Sequence, residues 1–313
     1  MILRPYQQTA IDAVLTKWNE FDRLLGVAPT GSGKTVIFAH GAHARSRTGR
    51  VLILAHRDEL IDQARDKMFK ACGVLASKEK ASDHADLDAG VVIASVQTLS
   101  RNHRLQRFAR DHFNTIVIDE AHHSLSSTYQ RILQYFSVAK VLGVTATPDR
   151  GDRQSLARFF DDVAFEVTLT GMIVGGFLCP IKIKTVPLKI DISAVGMRGG
   201  DYSDDELAPA LEPVLHELAV AVVQHARDRK TFIFLPLVRT SYQFAEILRA
   251  HGFAAEAVCD ESADRKEILS RFTSGETRVL CNALLLTEGY DEPSIDCVVC
   301  LRPTAIRNRN RDC

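Results

Sequence analysis

The run APTGSGKT at residues 28 to 35 constrains this chain more than any other feature, because the apolar stretch RLLGV leads into it and a helix-forming stretch follows. A glycine-rich turn between a strand and a helix is the setting of a phosphate-binding loop. Gly31 and Gly33 let backbone amides curl around phosphate oxygens, with Pro29, Thr30 and Ser32 filling out the loop, and the helix beyond adds its positive N-terminal end. In such a loop Lys34 bridges the β- and γ-phosphates and Thr35 offers its hydroxyl to magnesium. The strict spaced-glycine pattern wants Gly at position 28, where this chain has Ala28.

A loop of this kind needs a parallel sheet beneath it, and the apolar runs supply one. Ile11, Val14, Leu15 and Trp18 recur at helical spacing behind Pro5, predicting a leading helix. Short runs then alternate with helix-like segments: RLLGV, VLILA, VVIAS, TIVID and VLGVTA, the rhythm of a parallel α/β sheet. A first domain over 1–168 follows from this pattern. Between 169 and 213 the pattern loosens into a connecting segment with one strand, IKIKTV, and the turn-forming GGDYSDDELAP. A second α/β run over 214–313 carries the strands TFIFL, AEAVC, RVLCN and IDCVVCL.

At 313 residues the chain has room for two domains with a core each. Lysines and arginines balance aspartates and glutamates at 39 each, so no overall field advertises a polyanionic partner. No stretch approaches the ~18 apolar residues of a membrane span. Seven cysteines without framework spacing indicate reduced thiols and a cytoplasmic setting. Cys297 and Cys300 form one C-x-x-C, but a strand points them to opposite faces and no second Cys/His pair lies nearby; core packing is the expectation for both.

The second chemical signal is TIVIDEAHH, where apolar residues lead to Asp119 and Glu120 at a strand's carboxyl end, the place where open α/β sheets bind ligands. Asp119 is suited to hold magnesium through its water shell, and Glu120 to orient and deprotonate an attacking water. His122 and His123 are adjacent on a turn and do not share a metal; a hydrogen-bonding role is expected.

With both signals in place the chain resembles helicase superfamily 2, in the DEAD/DEAH-box-like group of restriction enzymes and RadD-like proteins. The resemblance covers nearly the whole sequence. RPYQ at 4–7 is similar to the element that reads adenine, which implies roles for Arg4 and Gln7. LAHRDEL at 54–60 and ASVQTL at 94–99 resemble motifs that grip a nucleic-acid backbone, implying Arg57, Ser95, Gln97 and Thr98 as contacts. TATP at 145–148 resembles the coupling motif, with Thr145 and Thr147 linking phosphate state to domain position, and His122 of DEAH joins them. In the second half, FLPLVRTS resembles a strand-contacting motif with Arg239 and Thr240, and EGYDEP resembles the motif whose Gly289 and Asp291 face the nucleotide. The resemblance implies two tandem RecA-like domains with a nucleotide cleft between them, ATP and Mg2+ as cofactors, and nucleic acid as partner, DNA favoured over RNA. An ATP-gated nucleic-acid clamp or degenerate remnant with little turnover is the alternative.

One element of the pattern is missing. The family closes its second domain with Q-x-x-G-R-x-x-R, whose arginines reach the γ-phosphate, and the tail RNRNRDC has neither its glutamine nor its glycine. The second domain is therefore expected to be incomplete at its C-terminus, with a further segment or a partner protein supplying the arginine finger. ATP binding with slow hydrolysis is the consequence.

Overall fold

The computed structural model describes residues 2–56, 58–146, 153–186, 190–198, 201–259, 262, 264–283 and 292–301, with backbone alone at 58–60, 63 and 153–155. The chain divides into two compact units, Met1–Ile181 and Lys182–Cys313. Residues 169–181, expected in the connecting segment, cluster with the first unit.

The first unit runs α1 (Pro5–Lys17), β1 (Arg23–Val27), α2 (Lys34–Ser46), β2 (Val51–Ala55), α3 (Asp58–Cys72), β3 (Ser77–Glu79), β4 (Val91–Ser95), α4 (Val96–Leu99), α5 (Asn102–Leu105), β5 (Thr115–Asp119), α6 (Ser127–Tyr135), β6 (Lys140–Thr145), α7 (Arg153–Phe159), β7 (Asp162–Glu166) and α8 (Leu169–Val174). Its seven strands form one sheet in the order β3-β4-β2-β5-β6-β1-β7, and every pairing is parallel. Parallel strands buried on both faces need apolar residues at every position rather than at alternate ones. That is why VLILA and the VVIA of β4 are continuous runs.

Strand pleating sends Leu24, Ile53, Ile93, Val117 and Leu142 to one face, where α1, α2 and α3 cover them with Ile11, Val14, Phe38, Ile61 and Met68. Leu25, Leu52, Leu54, Ile116 and Ile118 go to the other face, under Phe108, Phe113, Tyr129, Phe136 and Phe160. Each fully buried large side chain contributes about 1.5–3 kcal/mol. Glycine interrupts β6 at Gly143 because a Cβ there would lie 2.4 Å from the Phe160 ring and 2.8 Å from the Ala121 methyl. This close approach seats the turn after β5 directly on β6.

The second unit opens with a two-stranded antiparallel ribbon, β8 (Met197–Arg198) and β9 (Asp201–Tyr202), then α9 (Asp204–Leu211), α10 (Leu215–Ala226), β10 (Thr231–Leu235), α11 (Val238–Ala250), β11 (Ala255–Val258), α12 (Arg265–Ser274), β12 (Val279–Ala283) and β13 (Cys297–Cys300). Its four main strands are parallel in the order β11-β12-β10-β13. α10 and α11 pack Leu218, Val222, Phe244 and Leu248 on Ile233 and Cys281, while α12 packs Ile268 and Phe272 on Phe232 and Leu280.

Two expectations need correction. Residues 181–186, IKIKTV, form no strand and pair with none among the described residues. Cys300 is exposed and Cys297 only half-buried, because β13 is the last described strand of its sheet. No helix among the described residues is long and apolar enough to cross a membrane.

Candidate active site

Parallel strands all deliver their following loops to the same edge, and the first unit's sheet gathers five sequence motifs there. Val27 at the end of β1 pairs with Thr145 at the end of β6. Asp119 at the end of β5 pairs with Val144 of the same strand. Ala55 of β2, just before His56, pairs with Ser95 of β4. Only β6 separates β1 from β5, so the phosphate loop and the acidic turn start about 10 Å apart at ordinary strand spacing.

The loop after β1 is fixed at both ends. Ala28 donates its N–H to the Thr145 carbonyl at 3.0 Å, and Gly33 accepts the first amides of α2 from Val36 and Ile37. Gly31 and Gly33 hold φ near +80° and +79°, in the left-handed region where a side chain is strained. A Cβ on Gly33 would also lie 2.6 Å from Gln7 Nε2. The loop thus carries helix N-terminal amides, an ammonium and a hydroxyl within one short stretch, a donor set suited to a polyphosphate.

α1 braces this loop from the side. The Tyr6 hydroxyl donates to the Ser32 carbonyl at 2.6 Å and Gln7 Nε2 donates to the same oxygen at 3.4 Å, while Gln7 Oε1 accepts the Arg4 N–H at 3.0 Å. Gln7 is buried and Arg4 exposed. Behind them the turn after α8 adds Phe177, whose ring meets Tyr6 edge-on at 4.9 Å and lies under the Arg4 guanidinium at 5.5 Å. Leu178 next to it would touch a side chain on Gly31 at 3.0 Å. Sequence reading misses Tyr6, Phe177 and Leu178; the aromatic in RPYQ was visible, whereas nothing local tied the GGFL turn to a loop nearly 150 positions earlier.

On the acidic side, burial pushes the Asp119 carboxyl above its ordinary range, while the Lys34 ammonium and the Glu120 N–H pull it down. That N–H reaches Asp119 Oδ1 at 3.1 Å. A half-buried acid that feels Lys34 is ready for a cation to restore its charge, so Thr35 and Asp119 fit a magnesium ion. Glu120 adopts φ 55° and ψ 61°, a left-handed conformation rare outside glycine and asparagine. Its Oε2 lies 3.5 Å from His122 Nδ1. His123 stacks on His56 with ring centroids 4.6 Å apart, and His122 tilts against His123 at 4.1 Å, so the two motifs touch through imidazoles.

The expected nucleic-acid contacts are placed less uniformly. Ser95 and Thr98 are buried, Gln97 is exposed, and Thr98 Oγ1 accepts the Ala81 N–H at 3.2 Å. In the second unit Arg239 is exposed and paired with Glu212, while Thr240 is fully buried at the start of α11. Arg57, Thr147, Gly289 and Asp291 lie outside the described residues.

Residues 1–150 match the family model of the type III restriction enzyme res subunit, and residues 211–311 match that of the helicase conserved C-terminal domain. A Saccharomyces cerevisiae protein named as an ATP-dependent helicase, IRC3, is 32% identical over 98% of this chain and 48% of its own length. A fragment structure assigned to the HsdR subunit of a type I restriction enzyme from Vibrio vulnificus superposes with a TM-score of 0.75 at 26% identity, covering 100% of this chain and 60% of that one. The Pyrococcus furiosus Hef helicase domain shares the fold at a TM-score of 0.62 and 16% identity, covering 99% of this chain and 91% of that one. The chain spans about half the length of the curated relatives it matches.

Proposed function

The chain belongs to helicase superfamily 2, in its restriction-type group, and from that premise we propose that it is an ATP-dependent helicase or translocase acting on nucleic acid, DNA rather than RNA. The observation that carries this reading is the one sheet edge on which the phosphate loop after β1 and the acidic turn after β5 lie on either side of β6. DNA is favoured by the likeness to restriction-enzyme subunits. A cytoplasmic setting belongs to the same reading and is supported by the scattered, unframed cysteines.

In this mechanism the loop amides and Lys34 bind the β- and γ-phosphates, and Arg4 with Gln7 reads the base. Thr35 and Asp119 would hold a magnesium ion, which when bound would supply neutralisation of phosphate charge. Glu120 takes the proton of the attacking water. Thr145 ends the strand between the two reacting loops and joins the phosphate loop through its carbonyl, so it is suited to pass phosphate state onward. By the resemblance we assign nucleic-acid contact to Arg57, Ser95, Gln97 and Thr98 in the first unit and, separately, to Arg239 and Thr240 in the second; Gln97 and Arg239 are the exposed ones, whereas the buried Ser95, Thr98 and Thr240 would shape the backbone around them. Gly289 and Asp291 toward the nucleotide, and Thr147 in coupling, are assigned by the resemblance alone.

Because the sequence holds no Q-x-x-G-R run, we assign the arginine finger to a further segment or a partner protein and expect slow turnover of these 313 residues alone. The same feature favours a second reading, an ATP-gated clamp. DNA-stimulated phosphate release and strand displacement test both: stimulated release abolished by Lys34→Ala supports the enzyme, and ATP-dependent DNA retention without any release supports the clamp. DNA-independent release that survives Lys34→Ala contradicts both.

A further inference from the structure

Two rings that the mechanism above does not use, His56 and His123, lie against each other beside the acids. β2 and β5 are neighbours in the sheet, with Leu54 level with Ile118. The chain past β2 therefore leaves the sheet edge next to the turn after β5, and His56 is the first residue beyond β2. Its imidazole stacks on that of His123 with centroids 4.6 Å apart and planes 20° from parallel, an offset pair in direct contact.

The row continues past His123. The His122 ring tilts against it at 4.1 Å, and His122 Nδ1 lies 3.5 Å from Glu120 Oε2. Three imidazoles thus run without a gap from the end of β2 to the carboxylate that takes the proton. The backbone under the row is fixed as well, since His123 donates to the Glu120 carbonyl and Ser124 to the Ala121 carbonyl, each at 3.0 Å. On the other flank Ala121 is pressed on Gly143 of β6. The Glu120 side chain is 26% exposed and that of His122 only 7%, so a partly exposed carboxylate meets a ring that its neighbours hold in place.

We propose that His56 and His123 are positioning residues for ATP hydrolysis: their stack braces the His122 ring, which bounds the orientation in which the Glu120 carboxylate meets the attacking water. A glutamate at a strand end has several rotamers open to it, and rates fall steeply when a reacting group sits about 1 Å out of place. The inference rests on the hydrolytic function proposed above.

Single-turnover ATP cleavage by the full chain in excess, with saturating DNA, tests it in six proteins: wild type, Glu120→Gln, His56→Ala, His56→Phe, His123→Ala and the double variant His56→Ala with His123→Ala. ATP affinity and melting temperature are measured alongside. Each single alanine should slow cleavage about 10-fold or more with ATP affinity unchanged. The double variant should be no slower than the slower single one, because both remove the same contact. His56→Phe keeps a flat ring on His123 and should restore most of the rate, a rescue that a merely structural histidine would not give. Wild-type cleavage in His56→Ala with Glu120→Gln inactive overturns this inference and leaves the hydrolytic function intact, as does a loss in His56→Ala that His56→Phe shares in full or that a fall in ATP affinity or melting temperature accompanies. A wild-type chain that cleaves no ATP overturns both.

Discussion

Two loops at the same sheet edge solve one geometric problem differently. After β1 the backbone turns through left-handed conformations at Gly31 and Gly33, where glycine permits them without a side-chain penalty. After β5 it does so at Glu120, a residue with a full side chain. A site that only binds phosphate can be built from bare backbone, and removing side chains there lets the ligand approach the amides. A site that must move a proton needs a carboxylate at the turn, so the strain is accepted at about 1–2 kcal/mol and held by a tight hydrogen-bonded coil and by Ala121 against Gly143. The contrast separates binding from chemistry, and substitutions can test that separation.

The largest effect is expected from the acids and the lysine. Glu120→Gln should slow single-turnover cleavage by about 10²- to 10⁴-fold with ATP affinity retained, whereas Lys34→Ala should lose affinity as well as rate. Nucleotide titration beside a rate measurement distinguishes them, and equal affinity losses in both variants would break the separation.

Gly33→Ala comes next. The methyl meets Gln7 Nε2 at 2.6 Å, and the left-handed backbone penalises it by roughly 1–2 kcal/mol. ATP affinity should drop about 10-fold or more. Adding Gln7→Ala should relieve the clash and recover only part of the loss, because the backbone strain stays; full recovery would show that the backbone conformation is unimportant.

Asp119→Asn sharpens the comparison from the stability side. Burial raises the folded-state pKa of Asp119 above its unfolded value of about 3.9. For a carboxyl the sign is then clear: the stabilising contribution is present below the unfolded pKa and is lost as pH rises through the folded one. Ionised Asp119 is therefore a net cost at neutral pH. Without nucleotide or magnesium, Asp119→Asn should raise the melting temperature at pH 7, lose that advantage near pH 3, and abolish hydrolysis. A lower melting temperature at pH 7 would contradict the burial argument.

The smallest expected effect lies in the second unit. Arg271 holds Glu256 below its ordinary range through paired hydrogen bonds at 2.9 and 2.5 Å, with Thr277 adding another. Here the sign reverses: the contribution is present above the unfolded pKa and fades as pH falls through the folded one. Both groups are partly exposed, so Glu256→Gln should cost about 1 kcal/mol or less at pH 7 and nothing measurable near pH 2. Thermal melts at the two pH values check it.

These residues also mark what the sequence could disclose. Continuous apolar runs such as VLILA report a strand buried on both faces wherever they occur, and APTGSGKT or VIDEAH at such a strand's end reports a site, because strand, turn and helix are all local. The GGFL turn was illegible for the opposite reason. Phe177 gains its meaning from Arg4 and Tyr6 far back in the chain. IKIKTV misled because alternation describes a strand's surface and does not supply its neighbour. Cys300 misled because an apolar run does not reveal that its strand has a free flank among the described residues.

The central claim is that Lys34 and the Asp119/Glu120 pair act on one triphosphate. The most direct test is a crystal structure of Glu120→Gln with ATP and magnesium. The β- and γ-phosphates should lie within hydrogen-bond reach of Lys34 and of the amides of residues 31–35, with the metal between Thr35 and the Asp119 carboxylate. A nucleotide bound away from this loop, or a metal with no path to Asp119 through its water shell, would contradict the account.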